Sequence, residues 1–536
     1  MRVPLIIALV YVPISLALGP VGNLPIVNKE IAPDVSSHVV FRTVLANGKF
    51  PGELIKGTKG NTFKINVQDQ LNDTRMLRST TIHWHGFFQK NSNWADGPAG
   101  VTQCPIATGD SFVYEFGVPD QAGTFWYHSH LSTQADSSIA NTCTGAMVVY
   151  DPADPHRSRY DVDDDNTVIT LADWYHALAP TIIGVGTPDS TLINGKGRYN
   201  GGSLTNLTRI NVVRGLRYRL RIVSLSCDPS FTFAIHGHNM TIIEADGVNT
   251  RPLVVDSLEV FAGQRYSVVV HANQRIGNYW IRANPSFGTI GFAGGLNSAV
   301  LHYIGASSSE PAEVDTEPVS SSPFVETALR PLENPGAPGL PQQGGADVNI
   351  NLAIDLTLDP FQFTVNGAPF IPPSLPVLLQ VMSGARTAQE LLPEGSVYTL
   401  PPNQTVEISI PGGSAGAPHP FHLHGHTFDV VRSAGSTDYN YANPIRRDVV
   451  NTGLAGDNTT IRFRTDNAGP WILHCRYVHI VAAAHHWLMT YADIGLAVVM
   501  AEDTDGMAQS VQPTAYSDLC PKYDALSDEE LGGLVD

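Results

Sequence analysis

The sequence predicts an all-β protein of three related, sandwich-like domains. Three observations carry that expectation: a turn-rich composition, stretches of strict apolar/polar alternation, and an aromatic strand motif that occurs three times. With 48 glycines, 38 prolines, 43% hydrophobic and only 15% charged residues, the composition favours short strands joined by turns and argues against disorder. The 536 residues, at about 150 per domain, allow three or four cores.

Alternation locates individual strands. Phe63, Ile65 and Val67 form one such series, and Val406, Ile408 and Ile410 another. Tyr218, Leu220 and Ile222 interleave with Arg217, Arg219 and Arg221, while Ile461 and Phe463 lie between Thr460, Arg462 and Arg464. Successive strand side chains point to opposite faces, so each series predicts a half-buried strand.

The repeat sets the domain number. GTFWYHSH (Gly123 to His130), GNYWIRAN (Gly277 to Asn284) and GPWILHCR (Gly469 to Arg476) align without gaps, and upstream of each lies an H-x-H: His83 and His85, His236 and His238, His422 and His424. The separations are 43 (His85 to His128), 44 (His238 to Arg282) and 50 residues (His424 to His474). Such periodicity implies three copies of one unit. With the acidic stretch Tyr150 to Asp165 and the Ser/Pro/Glu-rich stretch Gly305 to Pro323 as seams, the domains are expected at 20–150, 151–305 and 324–536, with a linker at 306–323.

Residues 1–19 carry one arginine, then an apolar run too short and proline-interrupted to span a membrane comfortably, then small residues, the pattern of a secretory signal peptide. Export is consistent with five Asn-x-Thr sequons at Asn72, Asn206, Asn239, Asn403 and Asn458. A net charge of -18 excludes nucleic acid and anionic membrane as principal partners, since both are bound mainly through Lys and Arg. Five cysteines, Cys104, Cys143, Cys227, Cys475 and Cys520, leave an odd thiol in an exported chain, and Cys475, beside His474, is the one with a reason to stay unpaired. The other four allow three pairings.

The histidines carry the chemistry. Residues two apart on a strand share a face, so His83 with His85, His128 with His130, and His422 with His424 each offer two imidazoles together. Imidazole suits copper, zinc and iron, and an added thiolate favours copper. His419 is three residues from His422 and faces away from that pair; by the same parity Cys475 opposes His474. Two metal centres on opposite sides of one segment are expected, joined covalently by a single peptide step, an arrangement for passing electrons between them. In the middle repeat, Arg282 and Asn284 cannot complete such a site, so His236 and His238 are expected to be structural, as are His176, His271 and His302, which lack partners at ligand spacing.

STTIHWHGFFQKNSNWADGPA, DQAGTFWYHSHLSTQ, HPFHLHGHTFDVVRSAGS and RFRTDNAGPWILHC resemble multicopper oxidases, specifically fungal laccases, and the likeness covers nearly the whole chain after the signal. The resemblance implies cupredoxin-like Greek-key β-sandwich or barrel domains and four copper ions. His83 and His422 would hold the type 2 copper, His85, His128, His130, His424 and His474 the type 3 pair, and His419 and Cys475 the type 1 copper. It further implies a substrate carboxylate at Asp228, an acidic proton-relay residue at Asp96, and disulfides joining Cys104 to Cys520 and Cys143 to Cys227; for the two aspartates a simple turn role stands as the alternative. The implied activity is one-electron oxidation of phenolic or aromatic-amine substrates with reduction of dioxygen to water, by a secreted monomeric glycoprotein of the kind used in lignin degradation.

Two segments depart from the pattern. Arg476 stands where the first repeat has His130 and where laccases also have histidine, and Ile480 occupies the expected position of a second type 1 histidine. The family pattern resumes in DIGLAVVMAED, where Leu496 matches the apolar position beside the type 1 copper, so about eleven residues between Arg476 and Asp493 are extra. They read as a retained intron or faulty gene model, or else His479, His485 or His486 replaces the missing ligand. Arg476 cannot, being always protonated. About four further residues are extra in STQADSSIANTCTGAMVVYD, near Cys143. Two other functions compete: a secreted copper-binding protein without turnover, and a metallo-oxidase acting on Fe(II).

Overall fold

The computed structural model describes residues 17–35, 40–131, 141–177, 186–312, 320–358, 361–391, 393, 395–413, 417–475, 481–482, 488–489 and 495–532. Among these residues the large sheets come in three pairs along the chain. A five-stranded sheet including Val21–Ile31 and Thr62–Gln70 faces a four-stranded one containing Ile82–His85 and Gly123–Ser129. A six-stranded sheet with Arg217–Ser224 and Arg265–His271 accompanies a five-stranded sheet with Phe231–Ile235 and Asn278–Pro285. Two more five-stranded sheets follow, one with Thr405–Pro411 and Asn458–Arg464, the other with Pro420–Leu423 and Gly469–Cys475. The all-β expectation is met, with helix confined to short segments such as Thr504–Ala508 and Leu519–Asp524.

Thr62–Gln70 shows the alternation directly: Phe63, Ile65 and Val67 are fully buried, while Thr62, Lys64 and Gln70 are exposed. Arg217–Ser224 and Asn458–Arg464 differ from the half-buried prediction. Arg219, Arg221 and Arg462 are themselves buried, because a second layer covers their face, and each is neutralised there: Arg219 by Asp154 and Glu244, Arg221 by Asp163, Arg462 by Glu407. Buried cations persist where they are paired.

Two large apolar clusters organise the interior. One runs through the middle and third pairs of sheets; the other joins the first pair to Ile472, Ala497 and Val499 of the third. The repeat strand Gly469–Cys475 supplies Trp471, Leu473 and Cys475 to the first cluster and Ile472 to the second, so it lies at the seam between the first and third units. Cys104 and Cys520 form the one disulfide among the described residues, closing 416 residues of chain; Cys143 and Cys227 are buried in the same apolar cluster. Leu18, within the expected signal segment, exchanges backbone hydrogen bonds with Leu54 and Lys56. Residues 320–332 run along the middle unit, with Ser320, Ser321 and Ser322 held by Asp256.

Candidate metal centre

Strand register gathers the histidines. In the first unit His83 lies directly opposite His128, and in the third His422 lies directly opposite His474. Each pair therefore shares one sheet face. His130 and His424 extend just beyond their strands, and packing of the first unit against the third closes the group. Ring centroids are 3.8 Å apart for His83 and His424, 3.7 Å for His85 and His422, 5.3 Å for His83 and His128, and 5.2 Å for His474 with both His130 and His424. All seven rings are buried.

Their outer hydrogen bonds set their tautomers. Nδ1 of His83 donates to the Asp96 carbonyl (2.8 Å), that of His128 to the Ser129 carbonyl (2.6 Å), that of His422 to the Asp448 carbonyl (2.8 Å) and that of His474 to the Cys475 carbonyl (3.0 Å). His424 Nδ1 donates to the Asp96 carboxylate at 2.8 Å. A carbonyl only accepts, so each Nδ1 carries the proton and each Nε2 keeps its lone pair. His85 is turned around: its Nε2 lies 3.3 Å from Asp448 Oδ1 and donates to it, leaving the lone pair on Nδ1. Asp96 thus orients two rings, and Gly97 lets the chain turn beside it; with φ +103°, a Cβ there would lie 2.0 Å from the Ile82 carbonyl oxygen.

The donor set fits copper. The candidate ligand atoms of His83, His85 and His422 lie within 4.8 Å of one another, as do those of His130, His424 and His474, and neutral imidazoles held by outer hydrogen bonds to carbonyls or carboxylates suit copper. His83 Nε2 is buried without a hydrogen-bond partner, a cost a bound cation would relieve. His424 Nε2 and His474 Nε2 face each other at 3.1 Å, close enough for both lone pairs to serve one positive centre.

Cys475 leaves the same strand on the other side. Its Sγ lies 3.2 Å from His419 Nδ1, and its surroundings are the apolar cluster that contains Leu496. Thr452 fixes the His419 backbone from both sides, its N–H donating to the His419 carbonyl at 2.9 Å and its Oγ1 accepting from the His419 N–H at 3.1 Å. Adjacent residues of one strand therefore serve two separate places. Arg476, His479, Ile480, His485 and His486 lie outside the described residues.

Asp228 is buried next to Asp173, whose carboxylate accepts from the backbone N–H groups of Cys227 and Asp228, each at 3.1 Å. Burial first, and the neighbouring Asp173 charge second, push the Asp228 carboxyl well above the usual range. At acidic pH it therefore holds a proton.

The middle unit differs. His238 Nδ1 donates to the His236 carbonyl and its Nε2 meets the Tyr303 hydroxyl at 2.6 Å. The strand opposite Arg282 presents Ala234, not His236, so this H-x-H sits two residues out of register with those at His83 and His422. The apparent homology of the three pairs is corrected accordingly: His236 and His238 follow the strand Phe231–Ile235 in a turn. His176 pairs with Asp34, and His302 with Asn278.

Sequence reasoning missed Asp448, Arg265 and Asp173. Asp448 supports His85 and His422, yet its own partner Arg265 is 183 residues away, a separation no local pattern reveals.

Comparisons with known proteins converge on one family. Three multicopper oxidase models match residues 28–154, 165–306 and 370–505. Laccase-2 of Pleurotus ostreatus is 58% identical over 528 residues, 97% of this chain and 95% of that protein. Laccase-5 of Trametes villosa is 56% identical, covering 96% of each. Among solved structures, the laccase of Botrytis aclada superposes with a TM-score of 0.78 at 29% identity, over 95% of this chain and 92% of that one. Fet3p, a multicopper oxidase that functions in iron import, shares the fold at 24% identity and a TM-score of 0.77, over 95% and 98%. The chain belongs to the multicopper oxidase family and is a copper-dependent oxidoreductase of the laccase type.

Proposed function

We propose that this laccase-type enzyme holds four copper ions: a type 2 ion at His83 and His422, a type 3 pair at His85, His128, His130, His424 and His474, and a type 1 ion at His419 and Cys475. The observation that carries the reading is the divergence of neighbours: Cys475 Sγ stands 3.2 Å from His419 while the His474 ring packs 5.2 Å from those of His130 and His424. Bound copper would supply one-electron oxidation of an aromatic substrate and reduction of dioxygen to water. The chain's part is to hold imidazole tautomers with carbonyls and Asp96, to link the two places through one peptide, and to exclude water by burial. Asp228 is proposed to take the proton that a phenol or aromatic amine loses on oxidation, which requires its own deprotonation first.

The division into domains at 20–150, 151–305 and 324–536, with the linker 306–323, accompanies this proposal. So does secretion of a monomeric protein after removal of residues 1–19, and a role in lignin degradation. Among the described residues no helix is long and apolar enough to cross a membrane. Asn72, Asn206, Asn239 and Asn403 are exposed, which suits glycan attachment there, whereas Asn458 is half-buried within a strand.

The substitution of Arg476 for the histidine of the first repeat favours a second reading, copper binding without turnover. Expressing the chain with copper separates the two: an intense blue thiolate-to-copper absorption together with oxygen uptake on a phenol supports the oxidase. Colour without uptake supports an incomplete cluster, and neither supports the inactive reading. Sequencing the transcript across Arg476 to Asp493 tests the retained-intron hypothesis, which an uninterrupted message encoding those residues would sink.

A further inference from the structure

We infer that Arg265, a residue of the middle unit, is the positioning residue that locks the first and third units together around the histidine cluster. The inference rests on the assignment of His85 and His422 as metal ligands. Arg265 is fully buried, and its guanidinium uses its fork in three directions. Nη1 and Nη2 clasp the two oxygens of Asp448, in the third unit, at 2.6 and 2.7 Å. Nε donates to the carbonyl of Thr124 at 3.1 Å, on the first-unit strand that carries His128. Nη1 also reaches the carbonyl of Gly263 in its own unit at 3.1 Å.

Asp448 transmits this grip. Its carboxylate lies 3.3 Å from His85 Nε2 and its backbone carbonyl accepts from His422 Nδ1 at 2.8 Å, so one residue orients a ring from each side of the cluster. His85 and His422 are the most closely stacked pair, at 3.7 Å. The fit leaves no slack at Gly86, next to His85: a Cβ there would lie 2.5 Å from Arg265 Nη2 and 2.9 Å from Asp448 Oδ2. Bidentate geometry is specific to guanidinium, which fixes the carboxylate plane as a lysine ammonium cannot. The repeat that sets Arg282 opposite Ala234 instead of pairing histidines thus contributes the clamp on which the other two depend.

Arg447 provides the control. It is equally buried and paired, with Asp246 and Glu326, but neither of those acids is among the groups touching the histidines. Arg265→Met, Arg265→Lys and Arg447→Met are compared with the parent after copper loading and as metal-free crystals. Both methionine variants should melt earlier, since each takes a paired cation away from a buried acid, although Asp246 keeps the Arg265 backbone N–H at 2.8 Å when Arg447 is replaced. Only Arg265→Met should weaken copper binding at the cluster, about 10- to 100-fold as for lost outer-shell partners, alter the type 2 electron paramagnetic resonance spectrum, and rotate the His85 and His422 rings in the metal-free crystal. Arg265→Lys should restore part of each. Unchanged ring positions in metal-free Arg265→Met, or equal copper loss in Arg447→Met, would overturn the inference. If instead His422→Ala leaves the parent's copper content unaltered, the ligand assignment fails, while the ring positions still decide the role of Arg265.

Discussion

The first and third repeats pair histidine with histidine across their strands, whereas the middle repeat, on a strand pair of the same kind, sets Arg282 opposite Ala234. Arg282 is sandwiched by Trp280 and Phe292, its guanidinium carbon 4.4 Å from each ring centroid. One backbone arrangement thus carries either a buried histidine cluster or a packed cation. The metal chemistry belongs to the side chains grafted on the strand and to the unit each strand faces. The same motif position is Ser129 in the first repeat, Ala283 in the second and Cys475 in the third, so only the third can carry a thiolate.

The largest test of that contrast is Cys475→Ser. It should abolish the blue absorption completely while leaving the cluster histidines in place, read by visible spectroscopy alongside the type 2 resonance signal; a persisting band would refute Cys475 as the type 1 ligand. Next comes a matched pair. His422→Ala should lose cluster copper with the type 1 band retained, whereas His238→Ala should leave copper per chain unchanged and cost only about 1–3 kcal/mol of stability, the loss expected when the buried Tyr303 hydroxyl is stripped of its partner. Copper loss in His238→Ala would erase the distinction between the repeats.

A third test probes the middle unit's contribution to substrate chemistry. With its carboxyl pushed well above the ordinary range by burial and by Asp173, Asp228 accepts a proton only above that raised value. For phenols, kcat/KM should therefore climb as pH rises through it. Asp228→Asn should remove this limb and lower kcat/KM by about 100-fold, within the range for losing a general base. An unchanged pH profile in the variant would assign the limb to another group.

Much of this architecture was legible in the chain. Phe63, Ile65 and Val67 gave away their strand because only one of its faces is buried, and the tripled aromatic motif revealed the three units. The parity that separates Cys475 from His474 followed from strand geometry alone. What escaped were properties of contacts between units. Arg219, Arg221 and Arg462 looked like solvent-facing residues because sequence periodicity records the alternation of faces but not what covers the second face. The middle H-x-H looked homologous because spacing to the next strand differs by one residue, while register depends on where the strand Phe231–Ile235 ends and its turn begins. Asp448 and Arg265 were invisible for the same reason: their meeting is a consequence of docking.

Buried acids offer the smallest and cleanest version of the comparison, because burial acts alike on Asp69 in the first unit and Glu244 in the middle one. For Asp69, burial dominates and the Leu71 N–H, donating at 2.9 Å, offsets it only in part, so its carboxyl is pushed up to about 8. For Glu244, burial is outweighed by Arg219 and Arg221, helped by the Thr124 N–H and the Ser267 hydroxyl, and the carboxyl sits below its ordinary value. Opposite pH dependences follow from linkage. A folded-state value raised above the unfolded 3.8 means that Asp69 contributes stability that is fully present below that pH and is lost as pH climbs toward 8. Glu244 contributes stability above its unfolded value and loses it as pH falls through the lowered one. Asp69→Asn keeps an oxygen for the Leu71 N–H but cannot ionise. Its melting temperature should match the parent near pH 4 and exceed it near pH 8, whereas Glu244→Gln should fall below the parent at pH 8 and approach it in acid. Parallel pH curves for the two variants would mean that burial alone, without the arginines, governs both sites.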